Sequence, residues 1–184
     1  MRGCTLVYNR TTQEKTLACP FFSPTERADD IALPHPARLP LGAAWHGICE
    51  APGHEPCTPA NHELESCNLG YAHTCQRLPK QRSCDAIRFG VARDAGALIS
   101  LRYVMETAHQ PAGDGSLEYD RALKSWISTY PEPRTQKMAE CFMQSYLEGK
   151  SRRESLRTSM GTVVEDSQKQ TTERTDIHRA DFTE

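Results

Sequence analysis

Six of the eight cysteines lie between Cys19 and Cys84, in a segment that also contains nine of the twelve prolines and five of the seven histidines. Each proline fixes its own backbone φ, lacks an amide donor and moves the preceding residue away from the helical conformation. We therefore expect no long regular element between Pro20 and Pro59. Because a structureless stretch of this length is uncommon in a compact domain, we expect cysteine ligation of a metal to organise the segment.

The spacing of these cysteines narrows the kind of metal site. They are separated by 29, 7, 9, 7 and 8 residues, and no Cys-x-x-Cys pair occurs. This pattern argues against a thioredoxin-like redox motif and c-type haem attachment, and it disfavours a zinc finger with closely paired ligands. An iron–sulfur cluster is larger than a single ion and accepts ligands from separate loops. The spacing therefore predicts an iron–sulfur cluster, with Zn²⁺ as the alternative.

Local sequence selects four of the six cysteines as ligands. Cys19 directly precedes a proline, as one ligand does in bacterial ferredoxin-type sequences, and the aromatic pair Phe21-Phe22 could shield a cluster from water. Gly70 allows a tight turn that would bring the cysteines on either side of it together. Cys49 ends a Gly-Ala-Ala-Trp-His-Gly stretch that brings Trp45 nearby. The predicted metal ligands are Cys19, Cys49, Cys67 and Cys75.

The other cysteines leave alternatives open. Cys57 and Cys84 are reserve ligands, whereas Cys4 is near the terminus and Cys141 falls on the core face of a predicted helix. Buried free cysteine is also a common core residue, and disulfides would be expected if the chain were secreted and its true start lay upstream. In a zinc site, His54 or His73 could replace a thiolate.

Residues beyond the cysteine-rich segment show clearer periodicity. Residues 85–106 alternate apolar and polar side chains around an Asp-Ala-Gly-Ala turn, which predicts a β-hairpin with arginines on its polar face. We expect a loop over 107–116. Apolar residues at helical spacing predict two helices, over 117–130 and 134–148. Lys150 begins a polar tail that we expect to be disordered or loosely helical.

These patterns predict a small α+β domain with four parts. An N-terminal segment, 1–18, carries a possible strand at Thr5–Tyr8. It precedes an irregular, metal-organised half at 19–84, and the hairpin and helices pack together over 85–149. The disordered tail over 150–184 completes the chain.

Composition and charge limit the functional classes. The net charge of −2 gives no global attraction to nucleic acid or an anionic membrane. The chain contains no apolar stretch of membrane-spanning length, and its N-terminus lacks the apolar core of a secretory signal, so we expect a cytoplasmic location and no membrane partner. No catalytic motif names a reaction, and whether the chain is an enzyme stays open.

Two functions follow from these observations. The first is a metal-binding protein, an iron–sulfur module with a redox, sensing or structural role. The alternative is a zinc-stabilised adaptor that binds nucleic acid or a protein partner through the basic face of the hairpin, where Arg88 and Arg102 lie.

Overall fold

The computed structural model describes residues 18–31, 33, 39–70 and 75–177, with side chains as far as Ser159. The elements are β1 (Phe22–Arg27), β2 (Trp45–Cys49), α1 (Asn61–Leu69), β3 (Ala86–Asp94), β4 (Leu98–Thr107), β5 (Gln110–Asp120), β6 (Ser125–Trp126) and α2 (Pro133–Ile177). Two sheets and two helices confirm the predicted α+β class. The strand predicted at Thr5–Tyr8 lies outside the described residues.

The cysteine-rich segment contains one small antiparallel sheet, in which β1 pairs with β2. The two strands have six and five residues, and they are the longest regular elements among the described residues between Pro20 and Pro59. The prolines of this segment predicted that no long element would form. The strands approach closely at Gly47, where an added Cβ would lie 2.3 Å from the carbonyl oxygen of Ser23. Glycine is therefore the residue that this approach requires.

The second sheet has the strand order β3-β4-β5-β6. The hairpin predicted over 85–106 is confirmed as β3 and β4, which are antiparallel neighbours joined by a turn with Gly96 at a φ of 78°. Its alternating side chains bury Ile99 and Leu101 completely, while Arg102 on the opposite face is exposed. The period-two pattern therefore identified both the strands and their buried face.

Two predictions that follow the hairpin are wrong. The loop expected over 107–116 is largely β5, and the helix expected over 117–130 is the end of β5, a turn and β6. Leu123 and Ile127 are 75% and 59% exposed, so the apolar spacing that suggested a helix does not mark a buried face. Instead of a helix, the segment forms the β5–β6 hairpin, in which Tyr119 and Trp126 are a cross-strand pair with ring centroids 5.3 Å apart.

The helices also differ from the predictions. Helix α1 was not expected in the irregular segment. Glu63 accepts a hydrogen bond from the Ala60 amide at the start of the helix, and Gly70 ends the helix at a φ of 74°.

The helix predicted over 134–148 is present in α2. Helix α2 continues to Ile177, so residues 150–177 are helical rather than disordered. The described residues therefore contain one C-terminal helix, where two were predicted.

One buried cluster joins the small sheet, α1, β3 and the start of α2. Its members are Ala18, Cys19, Phe22, Leu41, Ala43, Trp45, Leu64, Cys67, Cys84, Ile87, Met138 and Cys141. The chain divides into two compact units, 1–142 and 143–184, and this cluster lies wholly within the first. Within the described residues, no helix combines the length and the apolar character that crossing a membrane requires.

Candidate cysteine site

The four predicted ligand cysteines line one small cavity. Cys19 lies just before β1, Cys49 is the last residue of β2, Cys67 lies in α1, and Cys75 lies in the loop that precedes β3. The remaining lining residues are Phe21, Phe22, Ala51, Ser66, Arg77 and Leu78. Four thiols from four separate segments of the chain are thus brought to one place, which we call the cysteine cavity.

Backbone pairing positions these thiols. The amide of Cys19 donates a hydrogen bond to the carbonyl oxygen of Cys67 over 3.2 Å, which links the start of β1 to α1. Phe22 stands opposite Cys49 in the β1–β2 ladder, and the Glu50 amide donates to the carbonyl oxygen of Phe21 over 2.9 Å. Three of the four cysteines are therefore held by backbone hydrogen bonds within one small framework.

The side chain of Asn68, a residue that the sequence analysis did not identify, joins α1 to β2 through hydrogen bonds. Its side chain is 2% exposed. Its Oδ1 accepts a hydrogen bond from the Trp45 amide over 2.9 Å, and its Nδ2 donates to the carbonyl oxygens of Trp45 and Leu64 over 3.0 Å each. A buried amide with its donors and acceptor satisfied fixes neighbouring segments strongly. No sequence pattern indicated this role, because α1 has weak apolar periodicity and was not expected.

The cysteine cavity is small and its exposed lining is apolar. Its volume is about 10 Å³, close to the space that a single water molecule occupies. Among the described residues, no three or more cysteine, histidine, aspartate or glutamate side chains are placed to hold one metal ion. The thiols therefore converge without forming the close shell that a single ion needs.

Burial raises the pKa of the Cys19 thiol to about 12 and the pKa of Cys67 well above its ordinary value. Desolvation is the main cause in both cases, and the neighbouring thiols of Cys49 and Cys75 raise both pKa values further. These two thiols therefore hold their protons at neutral pH without a metal. A metal that binds them must displace those protons.

Arg77 is the cation beside the site. Its Nη1 donates to the Cys57 sulfur over 2.8 Å, and its Nη2 lies 3.1 Å from the Glu63 carboxylate. The pKa of the guanidinium is raised, chiefly by a hydrogen bond with Cys49, and the Glu63 carboxylate contributes to the increase. Arg77 therefore contacts the Cys57 sulfur and, like Cys49, lines the cysteine cavity.

The remaining cysteines and histidines lie elsewhere. Cys84 donates through its sulfur to the carbonyl oxygen of Ala86 over 3.3 Å, and Cys141 is buried on α2, as predicted. Neither lines the cysteine cavity. All seven described cysteines are free thiols. His54 is exposed, while Cys4 and His73 lie outside the described residues.

The basic hairpin face carries its own counter-charges. Arg88 lies 3.2 Å from the buried carboxylate of Glu106, and Arg102 lies 2.8 Å from Asp114. Both arginines line an open groove of about 490 Å³ on the sheet. Because both guanidinium groups have an acidic partner, neither offers uncompensated positive charge to a phosphate backbone.

No protein-family model, no curated protein and no solved structure matches the chain.

Proposed function

We propose that this chain binds an iron–sulfur cluster through Cys19, Cys49, Cys67 and Cys75, and that the cluster has a redox, sensing or structural role. The observation that carries the proposal is that these thiols, which come from four separate segments, all line one cavity. Cysteines that serve only as core residues need not converge, as Cys84 and Cys141 illustrate. Thiolates are the ligands that hold iron–sulfur clusters.

We prefer a cluster to a zinc ion because the cysteines are widely spaced in the sequence and come from separate segments. A structural Zn²⁺ needs four ligands within about 2.3 Å of one point, and the described side chains do not form such a group. A cluster is larger than one ion, so its thiolates stand further apart. A cluster that binds here must widen the cysteine cavity, whose volume is about 10 Å³. Strands β1 and β2 have only six and five residues, so few ladder hydrogen bonds oppose that movement.

The surroundings offer groups that suit a cluster. Trp45 is 3% exposed, and its Nε1 has no hydrogen-bond partner among the described residues, although it belongs to the same buried cluster as Cys19 and Cys67. A buried donor without a partner costs about 1–3 kcal/mol, although Trp45 is not among the residues that line the cysteine cavity. Arg77 supplies positive charge next to thiolates. Hydrogen bonds and charge near the sulfurs are the means by which proteins set cluster potentials.

A cytoplasmic location is part of the proposal. The seven described cysteines are all free thiols, which suits a reducing compartment. A structural or sensing cluster would act on a protein partner. In the alternative, a zinc-stabilised adaptor, the basic hairpin face would be the binding surface.

Anaerobic purification followed by metal and sulfide analysis tests the proposal. We expect iron and acid-labile sulfide in comparable amounts, a brown colour and absorption near the boundary of the visible and ultraviolet. Zinc without sulfide would instead support the adaptor. A colourless protein that contains neither iron nor zinc, also after incubation with ferrous iron and sulfide, would overturn the proposal. The variant Cys84→Ser is a matched control, because it removes a buried thiol outside the cysteine cavity.

A further inference from the structure

Cys49 and Cys57 form a close antiparallel pair outside the named strands. The amide of Cys49 donates to the carbonyl oxygen of Cys57 over 2.8 Å, and the amide of Cys57 donates to that of Cys49 over 3.1 Å. Residues that exchange both backbone hydrogen bonds in this way have Cα atoms about 5.5 Å apart, and their side chains lie on one face. That separation falls within the range of about 4.4–6.8 Å that disulfides span.

Arg77 lies beside the Cys49–Cys57 pair. Its guanidinium donates to the Cys57 sulfur over 2.8 Å, and Arg77 and Cys49 both line the cysteine cavity. The Glu63 carboxylate, 3.1 Å from Nη2, holds the guanidinium in place. Arg77 therefore lies close to both cysteines. The position of Arg77 also puts positive charge beside a sulfur that carries negative charge when it acts as a nucleophile.

Exposure distinguishes the two thiols. Cys57 is half-buried and accessible from solvent, whereas Cys49 is 7% exposed and also lines the cysteine cavity. A dissolved oxidant therefore reaches Cys57 first. Cys49 is then the nearby thiol that reacts with the oxidised sulfur. This order matches the usual division between an accessible reacting cysteine and a resolving cysteine.

We propose that Cys49 and Cys57 are a peroxide-sensitive dithiol that closes to a disulfide beside Arg77. The Cys57 sulfur attacks a hydroperoxide, so that an S–O bond forms, the O–O bond breaks and the alcohol, or water, leaves. The Cys49 sulfur then attacks the sulfenic sulfur, so that an S–S bond forms, the S–O bond breaks and the hydroxyl leaves as water with the Cys49 thiol proton. Two thiols lose two electrons in total, and one peroxide gains them.

Closing this disulfide has a consequence that rests on the proposed cluster. Cys49 is one of the four proposed ligands, so a Cys49–Cys57 disulfide removes one thiolate from the cysteine cavity. Oxidation would then release the cluster or prevent its assembly. The disulfide itself requires no metal, and it is therefore tested on metal-free protein.

The test treats metal-free full-length protein with hydrogen peroxide, blocks remaining thiols with an alkylating agent in acid, and digests with a protease that cleaves after glutamate. Cleavage after Glu50 and Glu55 separates the two cysteines, and cleavage after Glu63 and Glu65 separates Cys57 from Cys67. We expect mass spectrometry to find residues 27–50 linked to residues 56–63 as the main cross-link. The variant Cys84→Ser should give the same product at the same rate.

Two variants examine the roles assigned to the residues. Cys57→Ser, at a half-buried position, should lose the cross-link, and Arg77→Gln should slow its formation by roughly 2- to 5-fold, the effect of one partly exposed charge contact. Circular dichroism of each variant checks that it is folded. A main cross-link between other cysteines, or sulfenic and sulfinic Cys57 without any link to Cys49, would overturn the inference. Absence of iron from the parent protein would refute the cluster and leave the dithiol untouched.

Discussion

Asn68 is hydrogen-bonded to both backbone groups of Trp45, so a single buried side chain joins the end of α1 to the start of β2. Cys67 immediately precedes Asn68, and Cys49 lies four residues after Trp45 in the same strand. The contact therefore sets the distance between two of the cavity cysteines through the backbone.

Replacing Asn68 by alanine should lower the free energy of unfolding by about 1–3 kcal/mol, because buried backbone groups of Trp45 and Leu64 lose their partner. We expect metal content to fall as well, since β2 and α1 lose their fixed spacing. Glu65→Ala, at an exposed position of the same helix, is the control and should change stability little. Chemical denaturation and iron analysis measure both effects. Equal stabilities for the two variants would contradict the role of Asn68.

We expect Gly115 not to tolerate a side chain. Gly113, in the same strand, should tolerate one. A Cβ at Gly115 would lie 2.3 Å from the Tyr103 hydroxyl oxygen, and Tyr103 is itself packed against Tyr130 with ring centroids 5.1 Å apart. Gly115→Ala should therefore destabilise the protein by about 1–3 kcal/mol. At Gly113 an added Cβ meets nothing within 4 Å, so Gly113→Ala should be neutral or stabilise by about 0.4–1 kcal/mol. Thermal unfolding of both variants checks this difference, and equal shifts would refute it.

Asp85 should make stability fall in acid. Its pKa is lowered chiefly by the hydrogen bond that the Ala108 amide donates to Oδ2 over 2.6 Å, with a further contribution from Arg82. A carboxyl group with a depressed pKa in the folded state stabilises the protein above its unfolded pKa of about 3.9, and this contribution is lost as pH falls through the folded pKa.

In Asp85→Asn, the free energy of unfolding should be lower than in the parent at pH 7, and the difference should shrink as pH falls below about 4. Denaturant titrations at pH 7 and pH 3 measure the two differences. A difference that stays constant with pH would show that the charge of Asp85 does not stabilise the β4–β5 turn.

The elements that were predicted correctly from sequence are those in which apolar and polar residues alternate with a clear period. The β3–β4 hairpin alternates apolar and polar residues around a glycine turn, so its two faces could be assigned from sequence alone. Strand β5 could not be predicted because Pro111, Gly113 and Gly115 resemble a loop. Its turn also uses Ala108 and His109 at φ values of 50° and 64°, where Asn-Gly is usual.

The site was predictable in part. Separate short segments around Pro20 and Gly70 suggested that Cys19, Cys67 and Cys75 would meet, and the structure places all three at the cysteine cavity. Helix α1, which carries Cys67, has weak apolar periodicity, and its best signals are Glu63 near its start and Gly70 at its end. The contacts of Arg77 depend on tertiary packing, so no local pattern indicates them.

Metal content of single cysteine-to-serine variants tests the central claim most directly. Serine keeps approximately the size of cysteine but loses the soft thiolate that iron prefers. After anaerobic preparation, Cys19→Ser, Cys49→Ser, Cys67→Ser and Cys75→Ser should each lose most bound iron and sulfide. Cys84→Ser and Cys141→Ser, which remove buried thiols outside the cysteine cavity, should retain the parent's content. Iron retained by one of the first four, or absent from the parent itself, would contradict the account.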